Sequence, residues 1–326
     1  MSLKRMTSLV AALALLALVA VPAAAGDEKV KFEEKFQQTE KLALDGKVYL
    51  KNISGNIKVL TWDKEEVNID ALKVSKAGTL EKAKENAALV KIEVSRNDGR
   101  LEILTKYPEG SSRHEHGGLN VSVTYNLTVP AKAEVEIRDV SGNVSAENIG
   151  GYAKLESLSG DIVIVKAAKG GVFNTVSGDV SVSDISGDLK IKAVSGDIKL
   201  TRAAGSVNAE TISGDVELKG LSGAKSVDIN VLSGDVTFDG VLEKDGRYTF
   251  QSHSGDITVT LPESAAFDFS CKSFSGDISS DFKVIVEMMG SLKHGQARPD
   301  IRGQVNGGGA DLSLTTFSGD INVKKR

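Results

Sequence analysis

The tripeptide Ser-Gly-Asp recurs from the middle of the chain to its end, and each copy precedes a short run of alternating apolar and polar residues. The first copy, Ser141-Gly142-Asn143, carries Asn in place of Asp. Further copies begin at Ser159, Ser177, Ser195, Ser213, Ser233, Ser254, Ser275 and Ser318, and one outlying copy begins at Ser54. From Ser141 to Ser213 the step is eighteen residues. A fixed step of this length is typical of stacked structural repeats.

Residues 176–182 show what one repeat requires. They read apolar, polar, Gly, polar, apolar, polar, apolar, and two such nine-residue units make one coil of eighteen residues. Alternation with a period of two indicates a half-buried strand. A single coil cannot bury its apolar side chains, but stacked coils bury them and pair their backbones. Gly suits a sharp corner with positive φ, and Ser and Asp can hydrogen-bond the backbone there.

The sequence therefore predicts an all-β fold, a single-stranded parallel β-solenoid (β-helix) of about 18–21-residue coils with two or three faces. The side chains predicted to point inward are those of Ile162, Ile164, Val180, Val182, Ile198, Leu200, Val216, Leu218, Val236, Phe238, Ile257 and Val259. At roughly 4.8 Å per coil, the copies from Ser141 onward predict a rod section on the order of 40 Å long.

The first 25 residues have the features of a secretory signal peptide. Lys4 and Arg5 precede an apolar run over residues 9–21, and three alanines at 23–25 offer a cleavage site. A membrane anchor is the alternative, but the run is short for a membrane span. We expect an exported chain, in the periplasm or at the cell surface, with no membrane span after cleavage.

The rest of the chain divides into two parts that differ in sequence pattern. Residues 26–44 form a charged leader, either loose or a first strand, and residues 45–326 form the solenoid. Within it, residues 45–130 are irregular and residues 131–326 are regular coils. Apolar residues at helical spacing predict one short amphipathic helix over about 79–89. The residues that carry this spacing are Leu80, Ala83, Ala87 and Val90.

Charge and cysteine content exclude some functions. Without Lys4 and Arg5 the chain has 38 basic and 44 acidic residues, a net charge of −6. This balance argues against nucleic acid as a partner, since nucleic-acid binding needs a basic face. A lone cysteine, Cys271, cannot form a disulfide within the chain, and its position in an alternating strand predicts a buried small apolar residue.

The repeated Asp predicts a ladder of carboxylates along one edge of the stack, with Asn143 at one end. Its members are Asp161, Asp179, Asp197, Asp215, Asp235, Asp256 and Asp277. These side chains either form the corners by accepting backbone hydrogen bonds or capture cations. The coil length is similar to that of calcium-binding β-rolls, but those carry Gly-Gly-x-Gly-x-Asp. The repeat here has one Gly per half-coil, with Asp directly after it. We therefore expect no metal and no cofactor, with a cation ladder as the alternative.

Catalytic chemistry has little support in the sequence. Glycoside hydrolysis needs two carboxylates in different roles, and a uniform ladder provides no distinct pair. His114 and His116 lie in a polar segment without an evident third metal ligand, and we expect a solvated loop. His253 occupies the apolar position before Ser254, where packing under the corner is expected. The sequence predicts no catalytic residue, and a carbohydrate-active enzyme is the least favoured alternative.

Several motifs resemble those of a bacterial exported family of unknown function known as "putative adhesin", which is related to the head domains of autotransporter adhesins. The motifs lie at residues 48–59, Trp62-Asp63, residues 127–131 and residues 316–321. The resemblance covers roughly residues 45–326. It implies an exported single-chain β-solenoid of the cell envelope. Together with the residues above, it leads us to expect a non-enzymatic protein that binds an unknown protein or glycan or serves as a scaffold. A calcium-stabilised surface or matrix-binding module is the alternative.

Overall fold

The computed structural model describes residues 29–108, 119–286 and 301–326. The expected signal peptide and the segment with His114 and His116 lie outside these residues. Within them the chain forms one α-helix, α1 (Leu80–Leu89), and two long sheets. No helix among these residues is long and apolar enough to cross a membrane.

Strands are numbered in chain order. The first sheet has thirteen strands in the spatial order β1 (Val30–Lys41), β4 (Glu66–Ala77), β7 (Val121–Pro130), β3 (Ile57–Trp62), β9 (Val144–Ile149), β11 (Ile162–Ala167), β13 (Val180–Ser186), β15 (Ile198–Ala204), β17 (Val216–Leu221), β19 (Val236–Gly240), β21 (Ile257–Leu261), β27 (Ile321–Lys325) and β23 (Ile278–Ser280). The second has fourteen, in the order β24 (Ile285–Val286), β25 (Ile301–Val305), β22 (Phe267–Ser275), β26 (Ala310–Ser318), β20 (Arg247–Ser254), β18 (Ser226–Ser233), β16 (Val207–Ser213), β14 (Leu189–Ser195), β12 (Gly171–Ser177), β10 (Ala153–Ser159), β8 (Glu134–Ser141), β2 (Lys47–Lys51), β6 (Arg100–Lys106) and β5 (Lys91–Asn97).

From β8 to β21 the chain alternates between the two sheets, so each coil contributes one strand to each. Neighbouring strands are parallel and keep one register, as in the pairs Leu155↔Phe173 and Ile164↔Val182. The predicted β-solenoid is confirmed, and it has two faces.

The core lies between the two sheets and follows from the alternation. All twelve side chains predicted to point inward are buried, none more than 2% exposed. Toward the C-terminal end larger rings fill the core: the Phe238 ring packs 5.3 Å from that of Phe250 and 6.0 Å from that of Tyr248. Cys271 is buried as expected, and burial raises the pKa of its thiol to about 12.

The stacking order departs from the chain order at both ends. The first coil, β2 and β3, stacks directly on β8 and β9, and the chain between them returns as β6 and β7 on the other side. At the opposite end the last coil, β26 and β27, lies between the coil of β20 and β21 and the coil of β22 and β23. Strand β27, close to the end of the chain, therefore has a neighbouring strand on each side.

Antiparallel strands and the helix cap the stack. β1 pairs with β4 and β4 with β7, so the predicted leader is largely a twelve-residue strand. Helix α1, N-capped by the Thr79 hydroxyl, packs Ala83 and Ala87 against Phe32 of β1. At the other end β25 pairs antiparallel with β22. Terminal repeats need such caps, because an open sheet edge invites further strands.

The Ser-Gly-Asp corners align in one column. Ser159, Ser177, Ser195 and Ser213 pair in succession, and each following Gly has a φ between +142° and +146°. A Cβ atom on Gly196 would collide with the carbonyl oxygen of Gly178 one coil earlier. The corner thus requires Gly for both its backbone angle and its space.

We predict that Gly196→Ala lowers the free energy of unfolding by more than about 2 kcal/mol, because it adds backbone strain and a clash. The matched control is Gly78→Ala, since Gly78 has no atom within 4 Å of a Cβ and no positive φ. Urea titration of both variants checks the prediction. Equal losses in the two variants would contradict it.

Candidate binding surface at the glycine corner

The residue after each corner Gly forms a continuous hydrogen-bonded ladder. The backbone N–H of each member after the first donates to the side-chain Oδ1 of the preceding member one coil away, in nine bonds of 2.7–3.0 Å. In spatial order the members are Asn56, Asn143, Asp161, Asp179, Asp197, Asp215, Asp235, Asp256, Asp320 and Asp277. We call this column the Asx ladder. It supplies an acceptor to an amide that the sheets leave without one.

The Asx ladder differs in two places from the carboxylate ladder that the sequence predicts. It extends past Asn143 to Asn56, and Asp320 lies between Asp256 and Asp277. Both differences follow from the stacking order, which the repeat does not encode. Within the described residues, no group of three or more His, Cys, Asp or Glu side chains is placed to hold a metal ion.

A second column, inside the corner, was missed by the sequence reasoning. Five Ser or Thr hydroxyls donate to the carbonyl oxygen of a corner Gly at 3.1–3.4 Å. The hydroxyls belong to Thr175, Thr211, Ser252, Ser273 and Thr316. A small polar residue two positions before the corner Ser was the available signal, although Ala193 and Val231 occupy this position in two coils. The column satisfies a carbonyl that lies outside the sheet ladders.

Asp139 occupies the same inner column and is an exception to it. Its side chain is 5% exposed, and neither carboxylate oxygen has a hydrogen bond of good geometry from a described residue. Desolvation by burial raises the pKa of Asp139 to about 6, opposed by the nearby Val140 amide and Asn52 side chain. Because the ionised carboxylate is poorly solvated there, Asp139 destabilises the folded protein at neutral pH.

The residue before each corner Ser forms an exposed row that we call the apolar stripe. Its members, one per coil in spatial order, are Ile53, Val140, Leu158, Val176, Val194, Ile212, Leu232, His253, Phe317 and Phe274. Apart from half-buried Ile53 and exposed His253, the side chains are between 39% and 58% exposed. At about 4.8 Å per coil the stripe is roughly 40 Å long.

The expectation that His253 packs under the corner is wrong. Its side chain is exposed, and its ring stacks on Phe317 at 4.9 Å, which in turn stacks on Phe274 at 4.7 Å. Alternation counted from the strand before the corner places this position outward, because Ala153, Leu155 and Ser157 point inward.

The two flanks of the stripe differ in charge. On one side lies the Asx ladder; among described residues, no Lys or Arg forms an ion pair with its carboxylates from Asp161 to Asp256. On the other side, the outward column of the second sheet contains paired charges. There Arg138 bridges Glu156 at 3.0 Å and Lys192 bridges Glu210 at 2.5 Å. The stripe therefore lies between a row of carboxylates without ion pairs and a column in which acidic and basic side chains pair with each other.

The C-terminal half of the stripe lies along a shallow groove of about 800 Å³. Its apolar members are Val194, Ile212, Leu232, Phe317 and Phe274, with His253 among them. Lys192, Glu210 and Lys272 line its outer side. The groove can accept an elongated apolar ligand.

Comparison with known proteins gives one family and several similar solved structures. The family model described as Toastrack DUF4097 matches residues 21–324, and no curated protein matches the chain. Three solved structures resemble it. The first, described as a putative adhesin from Bacteroides fragilis, is 14% identical, with 90% of this chain and 97% of that chain covered and a TM-score of 0.43. The second, described as a putative lipid binding protein from Parabacteroides distasonis, is 12% identical, with 89% and 96% covered and a TM-score of 0.44. The third, described as a putative cell adhesion protein from Clostridium sporogenes, is 13% identical, with 89% and 99% covered and a TM-score of 0.23.

We predict that Asp197→Ala lowers the free energy of unfolding by about 1–2 kcal/mol, because the Asp215 amide loses its acceptor. Asp197→Asn keeps the acceptor oxygen, so its stability should stay within about 0.5 kcal/mol of wild type. Urea titration of both variants measures the difference. An alanine variant as stable as the asparagine variant would show that the ladder bond contributes nothing.

We predict that Asp139→Ser stabilises the protein at pH 7.5 by about 2–3 kcal/mol and has little effect near pH 4. The folded carboxyl keeps its proton up to about pH 6, whereas the unfolded one ionises near pH 4. The folded state therefore binds more protons between these values, and wild-type stability falls as the pH rises through them. Urea titrations of both proteins at several pH values check this. A stability difference independent of pH would rule out the raised pKa as its cause.

Proposed function

We propose that this chain, which belongs to the Toastrack DUF4097 family, is an exported, non-enzymatic protein of the cell envelope that binds its partner along the apolar stripe. The partner is a protein or a glycan-bearing surface component in the periplasm or at the cell surface. The features of residues 1–25 support export, since they have the charge, apolar run and small residues of a signal peptide.

The observation that carries the proposal is the length and regularity of the stripe. Scattered exposed apolar side chains are normal, but large contiguous apolar patches mark interaction sites. Here eight large apolar side chains lie in one line across nine coils, and the exposed His253 occupies the remaining coil. Since outward positions elsewhere on the sheets are mostly polar, water exposure of this row is a cost that partner binding removes.

The uniformity of the corner supports binding over catalysis. Every ladder carboxylate from Asp161 to Asp256 accepts the same hydrogen bond from the next coil. Acid and base roles need carboxyl groups in different environments. A row of equivalent carboxylates beside an apolar stripe instead suits an elongated ligand that contacts many coils at once.

The test compares two double variants of the full chain. We predict that Val194→Ser with Ile212→Ser weakens cosedimentation with isolated cell envelopes at least about tenfold, because two apolar contacts are lost. Leu60→Ser with Val163→Ser is the matched control. These residues are 37% and 40% exposed on the other sheet, and their replacement should leave binding unchanged.

Two results would count against the proposal. The first is equal binding by both double variants, which would place the contact elsewhere. The second is turnover of an acidic polysaccharide by the wild-type protein that is lost in a single Asp→Asn variant of the ladder, which would show an enzyme.

A further inference from the structure

We infer that the groove end of the apolar stripe binds a single amphipathic α-helix of a partner polypeptide, with Lys or Arg along the helix flank that lies over the Asx ladder. The inference rests on the proposed function and specifies the partner of the same surface. It follows from the width of the stripe, its direction, its spacing and the charge of its flanks.

The width of the stripe excludes a broad globular partner. From Val194 to Phe274 it spans six coils, about 24 Å, and it is one side chain wide. With a width of about 10 Å its area is on the order of 250 Å², against roughly 800 Å² per partner in a stable protein–protein interface. A second folded copy would therefore gain too little from this surface, whereas a single rod-shaped segment covers it completely.

The direction of the stripe favours a helix over an extended segment. The stripe runs across the strands, along the stacking axis, so its residues offer no sheet edge to pair with. An extended peptide laid on it would bury backbone N–H and C=O groups without partners. A helix satisfies those groups internally, and about sixteen residues span the groove at 1.5 Å per residue.

The spacing also fits a helix. One stripe side chain recurs about every 4.8 Å, and one helical turn rises 5.4 Å. The mismatch of about 0.6 Å per turn accumulates to only about 3 Å over the groove. One apolar side chain per turn can therefore contact one coil, with the stacked rings of His253, Phe317 and Phe274 at one end.

The charges fix the chemistry and orientation of the helix. The ladder carboxylates Asp197, Asp215 and Asp235 follow the stripe residues by three positions, on the side of the stripe away from the groove lining, and have no ion-pair partner among the described residues. On the opposite flank Lys192 forms an ion pair with Glu210. Basic residues on one side of the helix thus gain favourable electrostatics, and acidic residues there are repelled. A fatty acid carboxylate would be repelled in the same way.

The probes are three designed sixteen-residue peptides and one lipid. The first peptide carries leucines at i, i+3, i+4 and i+7 spacing with lysines beside them, the second replaces the lysines by glutamates, and the third scrambles the first. The lipid is oleate. Fluorescence anisotropy with the full chain gives each Kd at low and moderate salt, and circular dichroism reports helix formation. The lysine peptide should bind at least about tenfold more tightly than the other probes and become helical on binding.

Two sets of variants separate the contributions. Asp197→Asn with Asp215→Asn and Asp235→Asn keeps the ladder acceptors but removes three charges. It should weaken the lysine peptide about tenfold and reduce its salt dependence. Val194→Ser with Ile212→Ser should weaken it at any salt concentration, whereas Leu60→Ser with Val163→Ser should not. The free energy of unfolding of every variant is measured alongside, and only folded variants are compared.

The outcomes distinguish this inference from the proposed function. Equal binding of the lysine and glutamate peptides, tighter binding of oleate, or self-association lost in the stripe variant would overturn the basic helix and leave the apolar stripe as the binding surface. Envelope binding that survives in the stripe variant, together with no peptide binding, would overturn both.

Discussion

The whole structure depends on how the backbone is satisfied at the Ser-Gly-Asp corner. When a coil turns from one sheet to the other, the amide after the Gly and the carbonyl of the Gly fall outside both sheet ladders. Such backbone groups need partners. The neighbouring coil supplies one to nine ladder amides and to five of the corner carbonyls. The Asp215 amide donates to Asp197 Oδ1, and the Gly196 carbonyl accepts from the Thr211 hydroxyl. The repeat thus places hydrogen-bond donors and acceptors of the corner in neighbouring coils. A single coil would lack the partners that its neighbours supply.

The stacking of equivalent coils also explains why the protein carries a continuous apolar stripe. In-register stacking turns any one position of the repeat into a column, so a single exposed apolar residue becomes a continuous stripe. The same stacking places the ladder carboxylates beside it at about 4.8 Å intervals, where like charges repel by roughly 1 kcal/mol per neighbouring pair in water. Accepted amide bonds offset that repulsion in the free protein, and cationic groups of a partner would lower it further.

Local features of the sequence were enough to predict the coil, the buried positions and most of the ladder, because each depends only on alternation and on Gly at a fixed position. These local features do not predict the stacking order at the ends, because the strands of every repeat have equivalent edges and each can pair with any other. The outward position of His253 was present in the sequence but required counting from the preceding strand. The burial of Asp139 without a good partner depends on the neighbouring coil, which no local pattern reports.

The position of the last coil follows from the same equivalence of edges. β26 pairs with β20 on one side and β22 on the other, in the registers Phe250↔Leu314 and Phe269↔Leu312. Because the neighbouring coils share one repeat, this coil can lie between two others while the strand register is kept on both sides. It leaves as the terminal coil one that differs from the rest: β22 also pairs antiparallel with β25, and β23 is only three residues long. Short or covered edge strands resist further pairing. The chain therefore ends its stack with its least repeat-like coil, and the insertion keeps the well-matched copies, whose Phe317 lies between His253 and Phe274 in the stripe, in the interior.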